Sequence, residues 1–373
     1  MPSDVRARCL LIVYLPGASL PRYPDQMARY DFLRRHYRIC GLISSGQVGV
    51  AADDGGATVL AAGNPVQFAI QAARALRARP VDYDFIYVIG VPAAMVFALA
   101  RPARPVVLYA PTHFLQHFGV PGELRGWRRL AAYGKRRLLF AGLRRVAALT
   151  AISRQLEALY RPYAPRVLTI PMGVDVSLYA PRPMLPHSGP LKVVYAGSGG
   201  AGRGIELVIA CARRLLASGA AVEFHLIGCR DAQLEQALAD TPALASVLRL
   251  WPAMPYADVV RAYGGMDVGL SLLESNLFYA ASPPQKIFEY MAAGLPILCN
   301  RIATHTDYVG DNALLVDYDA DALYQGVLAM AAGYARYQQA AARAARHMAP
   351  YAHSTVERSF TAVIETVLAP RAV

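Results

Sequence analysis

Short apolar runs, each closed by glycine, proline or polar residues, alternate with longer amphipathic stretches along most of the chain. In the first half, Cys9–Leu15, Tyr37–Ile43, Phe85–Ile89, Pro105–Tyr109, Val146–Thr150 and Arg166–Thr169 predict buried strands. In the second half, Leu191–Ala196, Val222–Ile227, Val247–Leu250, Val268–Leu272, Pro296–Cys299 and Ala313–Val316 do the same. Helices are predicted between most of them. One starts at Asn64-Pro65 with Gln67 following, a capping box with proline in its favoured place. Another starts at Ser153, and a last one spans Tyr351–Leu368. Strands that are apolar throughout argue for parallel sheets covered on both faces, an α/β class. The proline-rich stretch from Ala180 to Pro190 is the clearest linker. It predicts two domains, 1–176 and 177–350, with 351–373 as a helix packing back on the first. Two such sheets leave a cleft at the carboxyl ends of their strands, where ligands bind.

Composition narrows the class. The 373 residues suffice for two domains, and 55% hydrophobic against 17% charged residues means large cores rather than disorder. A formal net charge of +12 suggests anionic partners. No zinc finger, basic zipper or RNA-binding signature is present, so no nucleic-acid partner is expected. Cys9, Cys40, Cys211, Cys229 and Cys299 form no C-x-x-C pair and read as small core residues of a reducing, cytoplasmic compartment. The start Arg6–Tyr14 imitates a leader, but Pro16 and Gly17 cut its apolar stretch short, and a first strand is the better reading. Phe85–Ala100 is interrupted by Gly90 and Pro92 and is too short to span a bilayer.

The densest chemistry lies in Ser282-Pro-Pro-Gln-Lys286-Ile-Phe-Glu289-Tyr-Met-Ala-Ala-Gly294-Leu-Pro296. It predicts a loop, a helix opening at Pro284, a glycine stop and a buried strand. Free amides at the helix start, with Lys286 beside them, make a receptor for an anion. Glu289, three residues on, can accept from a diol such as a ribose. A second loop, Gly197-Ser198-Gly199-Gly200-Ala-Gly202-Arg203-Gly204, joins a strand to a helix. Its glycines let backbone approach a phosphate, and Arg203 adds a bidentate cation. No G-K-[ST] ending follows, so it is not a P-loop.

These segments, with Phe224-His-Leu-Ile-Gly228, Tyr263-Gly-Gly-Met-Asp267 and Ile170-Pro-Met-Gly173-Val-Asp175, resemble the group 1 (family 4) glycosyltransferases. The resemblance implies a GT-B architecture: an acceptor-side Rossmann-like domain and a nucleotide-sugar-binding one, their parallel sheets facing across a cleft. It implies transfer of a sugar from a nucleotide-sugar, with retention, to a glycan or lipid-linked acceptor in polysaccharide or glycoconjugate synthesis. Carried over, Arg203 and Lys286 hold the donor diphosphate and Glu289 the ribose. The loop Gly197–Gly199 lies near the phosphate and the reacting centre, Pro284 belongs to the donor-binding set, and Arg230 and Met254 lie near the base. His113, in Tyr109-Ala-Pro-Thr-His113, resembles the histidine that faces the donor sugar; read from the residues alone it is a loop histidine. One departure stands out: the family's usual first glutamate falls on Ala281, so the donor sugar stays open. Two alternatives remain, a nucleotide-sugar 2-epimerase of the same architecture and a catalytically silent subunit.

The triplets Asp82-Tyr-Asp84, Asp317-Tyr-Asp319 and Asp319-Ala-Asp321 match the D-x-D metal pattern of other transferases, but they sit at strand and helix ends, where capping is expected. No metal and no other cofactor is expected. Residues 125–145 mix arginines with Trp127, Tyr133 and Phe140, which suits either a solvated helix face or peripheral contact with an anionic membrane.

Overall fold

The computed structural model describes residues 6–18, 20–54, 56–119, 124–180 and 188–369. The chain divides into two compact units, Met1–Met172 with Ser354–Val373, and Gly173–His353. Most of the sequence-predicted linker, 181–187, lies outside the described residues.

Unit 1 is built on strands β1 (Arg8–Val13), β2 (Arg38–Ser44), β3 (Ala57–Val59), β4 (Phe85–Ile89), β5 (Val106–Ala110), β6 (Ala148–Ala151) and β7 (Val167–Thr169), in the order β3-β2-β1-β4-β5-β6-β7. All neighbours are parallel, and helices lie between every consecutive pair of strands except β2 and β3. β1, β4 and β5 are buried almost end to end because both faces are covered, which is why they read as unbroken apolar runs. The helix Pro65–Ala78 is capped by Asn64, whose side chain accepts from the amides of Val66 and Gln67. Gln67 bonds the amide of Gly63, one residue outside the cap that a strict capping box would use. Ser153 caps Arg154–Tyr160 as its position predicts. The last helix, His353–Leu368, belongs to this unit through Phe360, which packs against Phe32 and Tyr87.

Unit 2 contains β8 (Leu191–Ala196), β9 (Val222–Ile227), β10 (Leu248–Trp251), β11 (Val268–Ser271), β12 (Ile297–Asn300) and β13 (Ala313–Val316). Their order is β10-β9-β8-β11-β12-β13, all parallel. The order reverses between β8 and β11, so the loops after these two strands diverge and open a crevice at the carboxyl edge. Those loops hold 197–204 and 272–284. The fold therefore gathers the two chemical segments of this unit at one edge.

The D-x-D triplets are used by the fold. The Asp84 carboxylate accepts from the Arg8 amide at 2.7 Å, and Asp82 pairs with Arg8 at 3.0 Å. Asp319 caps the helix Ala320–Ala332 through the Ala322 amide, Asp321 pairs with Arg214, and Asp317 with Arg301. All five cysteines are buried free thiols. Among the described residues, no helix is long and apolar enough to cross a membrane.

Candidate active site

Tyr195, near the end of β8, is the floor of the site. The Lys286 ammonium stands 3.4 Å from the centre of its ring, a close cation–π contact. The Tyr195 hydroxyl donates to the Ser198 carbonyl at 2.8 Å and so ties the glycine loop to the same ring. Gly197 has φ +137, and a Cβ there would lie 3.4 Å from the Lys286 nitrogen. A side chain at 197 would strain the backbone and press on the ammonium. A Cβ at Gly199 would come within 2.7 Å of the Arg230 carbonyl, so the loops after β8 and β9 touch backbone to backbone. Asp231 secures the contact, accepting from the Gly200 amide at 2.9 Å and capping the next helix through Gln233. On the other side, the Glu274 amide donates to the Gly202 carbonyl at 2.8 Å, and the Tyr279 ring lies 5.9 Å from the Arg203 guanidinium.

Lys286 occupies the first turn of the helix Gln285–Ala292. Pro284, the N-cap, supplies no side-chain cap, and the first bond within the turn runs from Ile287 to the Pro284 carbonyl. The positive end of the helix and Lys286 thus meet the glycine loop. Lys286 is buried, and among the described residues no ion pair joins it to a carboxylate. Burial, and then repulsion from Arg203, push its pKa down to about 7, against the attraction of Glu289. Lys286 and Arg203 repel each other, and among the described residues neither forms an ion pair with a carboxylate, so a bound anion would relieve the repulsion.

Glu289, one turn on, is also buried. Burial raises its pKa, while hydrogen bonding from Tyr263, the charge of Lys286 and hydrogen bonding from Tyr256 hold it down. The Tyr263 hydroxyl donates to Glu289 at 2.7 Å. The Tyr256 and Tyr179 hydroxyls are 2.9 Å apart beside it. The carboxylate keeps further lone pairs for a ligand diol. This tyrosine ring, like the floor at Tyr195, is absent from the sequence reading: its members are scattered through the chain, and tyrosine in an apolar run reads as core.

The remaining predicted residues fall as follows. Ser198 and Arg230 have exposed side chains at the rim. Met254 lies in the turn after β10, next to Ala253, which approaches Gly228. Ala281 is buried and supplies no polar group. His113 belongs to unit 1, in the loop after β5. It is buried, its Nδ1 accepts from the Leu115 amide at 3.1 Å, and burial lowers its pKa, so the ring is neutral near pH 7.

Residues 190–332 match the family model of the glycosyl transferases group 1. No curated protein sequence matches the chain. Among solved structures, sucrose-phosphate synthase of Thermosynechococcus elongatus is similar with a TM-score of 0.74 at 15% identity, covering 97% of this chain and 99% of that one. HepE of Anabaena in complex with UDP gives 0.71 at 14% identity, over 96% of this chain and 100% of that one. Its complex with UDP-glucose gives 0.70 at 14%, over 97% and 100%. These likenesses establish the GT-B fold, and the family model marks residues 190–332 as a group 1 glycosyltransferase domain.

Proposed function

We propose that this chain, a glycosyltransferase of GT-B fold with a group 1 domain, moves a sugar from a nucleotide-sugar donor to a glycan or lipid-linked acceptor, with retention and without a metal. One observation carries the reading: the Lys286 ammonium, buried on Tyr195 at the mouth of a helix with no side-chain N-cap, near Arg203 and, among the described residues, with no carboxylate ion-paired to it. A diphosphate complements such a site in charge and size. When the sugar–phosphate bond breaks, its electron pair stays on the departing phosphate oxygen. Lys286, Arg203 and the amides of the first turn stabilise that charge. In a front-face course, the acceptor oxygen bonds the anomeric carbon on the side that the diphosphate leaves, and the hydroxyl proton passes to a departing phosphate oxygen. No protein nucleophile is needed. Glu289 takes the ribose diol, Arg230 and Met254 flank the base, and neutral His113 faces the donor sugar.

The HepE complexes make uridine nucleotides the first probe. Thermal shift and turnover with UDP-, GDP-, ADP- and dTDP-sugars in EDTA test the reading. One donor should raise the melting temperature and be hydrolysed slowly. Epimer formation would make the protein an isomerase, and binding without turnover a silent subunit. Activity lost on chelation and restored by manganese would overturn metal independence.

We further infer a cytoplasmic protein that rests on an anionic membrane. The helix Gly126–Leu143 exposes Trp127 and Leu130 at 74% each and Tyr133 at 55%, beside the exposed cations Arg125, Arg128, Arg129 and Arg137. Apolar rings among cations suit the headgroup boundary. Sedimentation with phosphatidylglycerol vesicles, and not with phosphatidylcholine vesicles, is the expected result. Equal binding to both, or to neither, removes the inference.

A further inference from the structure

We propose that Gln285 is a positioning residue that couples occupancy of the Lys286 site to the two chain segments where unit 2 begins and ends. The proposal rests on the donor reading above. The helix Gln285–Ala292 uses one turn for two tasks. Lys286 and Glu289 face the anion site. Gln285 and Phe288, also three residues apart, face the boundary segments. The Gln285 amide donates to the Gly173 carbonyl at 2.8 Å, and the Phe288 ring lies 5.0 Å from that of Tyr351. Those two partners sit on segments that are themselves paired. The Val174 amide donates to the Tyr351 carbonyl at 2.9 Å, and the His353 amide to the Val174 carbonyl at 3.0 Å. Tyr308 closes the cluster, stacking edge-on against Phe288 at 5.1 Å.

Both stretches of chain that join unit 2 to unit 1 therefore hang on the helix that presents Lys286. A single helical turn is stiff, and Phe288 is fully buried, so Lys286 cannot be drawn toward an anion without loading the Gln285 and Phe288 contacts. An anion that fixes the first turn should hold the paired segments closed. By linkage, closing them should tighten the anion site equally.

Hydrogen exchange on the full chain with and without UDP tests this. UDP should slow exchange at the Val174 and His353 amides by about fivefold or more. Gln285→Leu keeps the bulk and removes the hydrogen bond. It should lose most of that protection while still binding UDP and melting within a few degrees of the parent. Full protection retained in Gln285→Leu would overturn the coupling through this residue. UDP binding that leaves both amides unprotected in the parent would overturn the coupling alone. Failure of UDP, GDP, ADP and dTDP all to bind would sink the donor reading and the coupling with it.

Discussion

Each unit buries a cation over the ring of a tyrosine, and the two cations differ in what neutralises them. In unit 1, Arg29 is fully buried 5.1 Å from the Tyr109 ring and 5.9 Å from that of Phe360. Asp25 lies 3.8 Å away, and the guanidinium donates to the Pro171 carbonyl at 3.0 Å. Tyr109 donates its hydroxyl to the same Asp25. Burial works against the charge of Arg29, but Asp25 and the neighbouring tyrosines more than offset it. In unit 2, Lys286 has a tyrosine ring, a second cation nearby and, among the described residues, no ion-paired carboxylate, and its pKa falls. A buried charge that the fold neutralises is structure. A buried charge that the fold leaves unpaired is held for a ligand.

Removing Arg29 should break this distinction most visibly. Arg29→Ala removes the counter-charge of the buried Asp25 and should cost ~3–5 kcal/mol of stability. Urea unfolding would read the loss, and the folded protein should bind UDP-glucose as before. Reduced affinity in molecules that remain folded would mean that Arg29 is not merely structural. Lys286→Met should do the converse. UDP-glucose affinity, measured by calorimetry, should drop by ~1.5–3 kcal/mol. The melting temperature should hold or rise, since a desolvated charge has gone. A destabilised variant with parental affinity would place Lys286 in the same class as Arg29.

The proton on Lys286 sharpens the comparison further. With its pKa near 7 rather than the ordinary 10.5, about half of the empty sites are uncharged at neutral pH. A bound diphosphate favours the ammonium, so binding takes up a proton. Affinity for UDP-glucose, whose diphosphate does not titrate in this range, should fall above pH 7 by up to about tenfold per unit. Lys286→Arg stays charged, so its profile should be flat; a parental profile equally flat would show that Lys286 keeps its proton. Stability of the empty protein runs the other way. The unfolded chain binds more protons between pH 7 and 10.5, so the contribution of this group to stability rises across that window.

The contrast between the two cations was only half legible in the sequence. Strands β4, β8, β9 and β13 match their predicted bounds because both ends are marked by turn residues or charges. β3 was missed: Ala57 and Val59, both exposed, flank a half-buried Thr58 after a glycine pair and form no apolar run. Lys286, Glu289 and Arg203 were legible because each sits in a local pattern of loop and helix start. Arg29 was not, since an arginine in the charge-rich helix Pro24–His36 reads as a solvated residue. Tyr195 and the tyrosines around Glu289 were equally hidden. Their role depends on the strand order β9-β8-β11, which brings distant loops together and leaves no periodic trace.

The two tyrosine floors allow the finest test. Tyr109 serves its cation twice, by its ring and by donating to Asp25. Tyr195 serves Lys286 by its ring and gives its hydroxyl to the glycine loop and to Arg203. Tyr109→Phe should therefore lower stability and leave UDP-glucose affinity unchanged. Tyr195→Phe keeps the ring under Lys286 but frees the Ser198 carbonyl and removes the hydroxyl that Arg203 hydrogen-bonds, so affinity should drop by ~0.5–1.5 kcal/mol. Its binding should keep the pH slope of the parent, because the surroundings of the ammonium are intact. If that slope vanished as well, the hydroxyl rather than the ring would be tuning Lys286, and the cation–π floor would lose its place in the site.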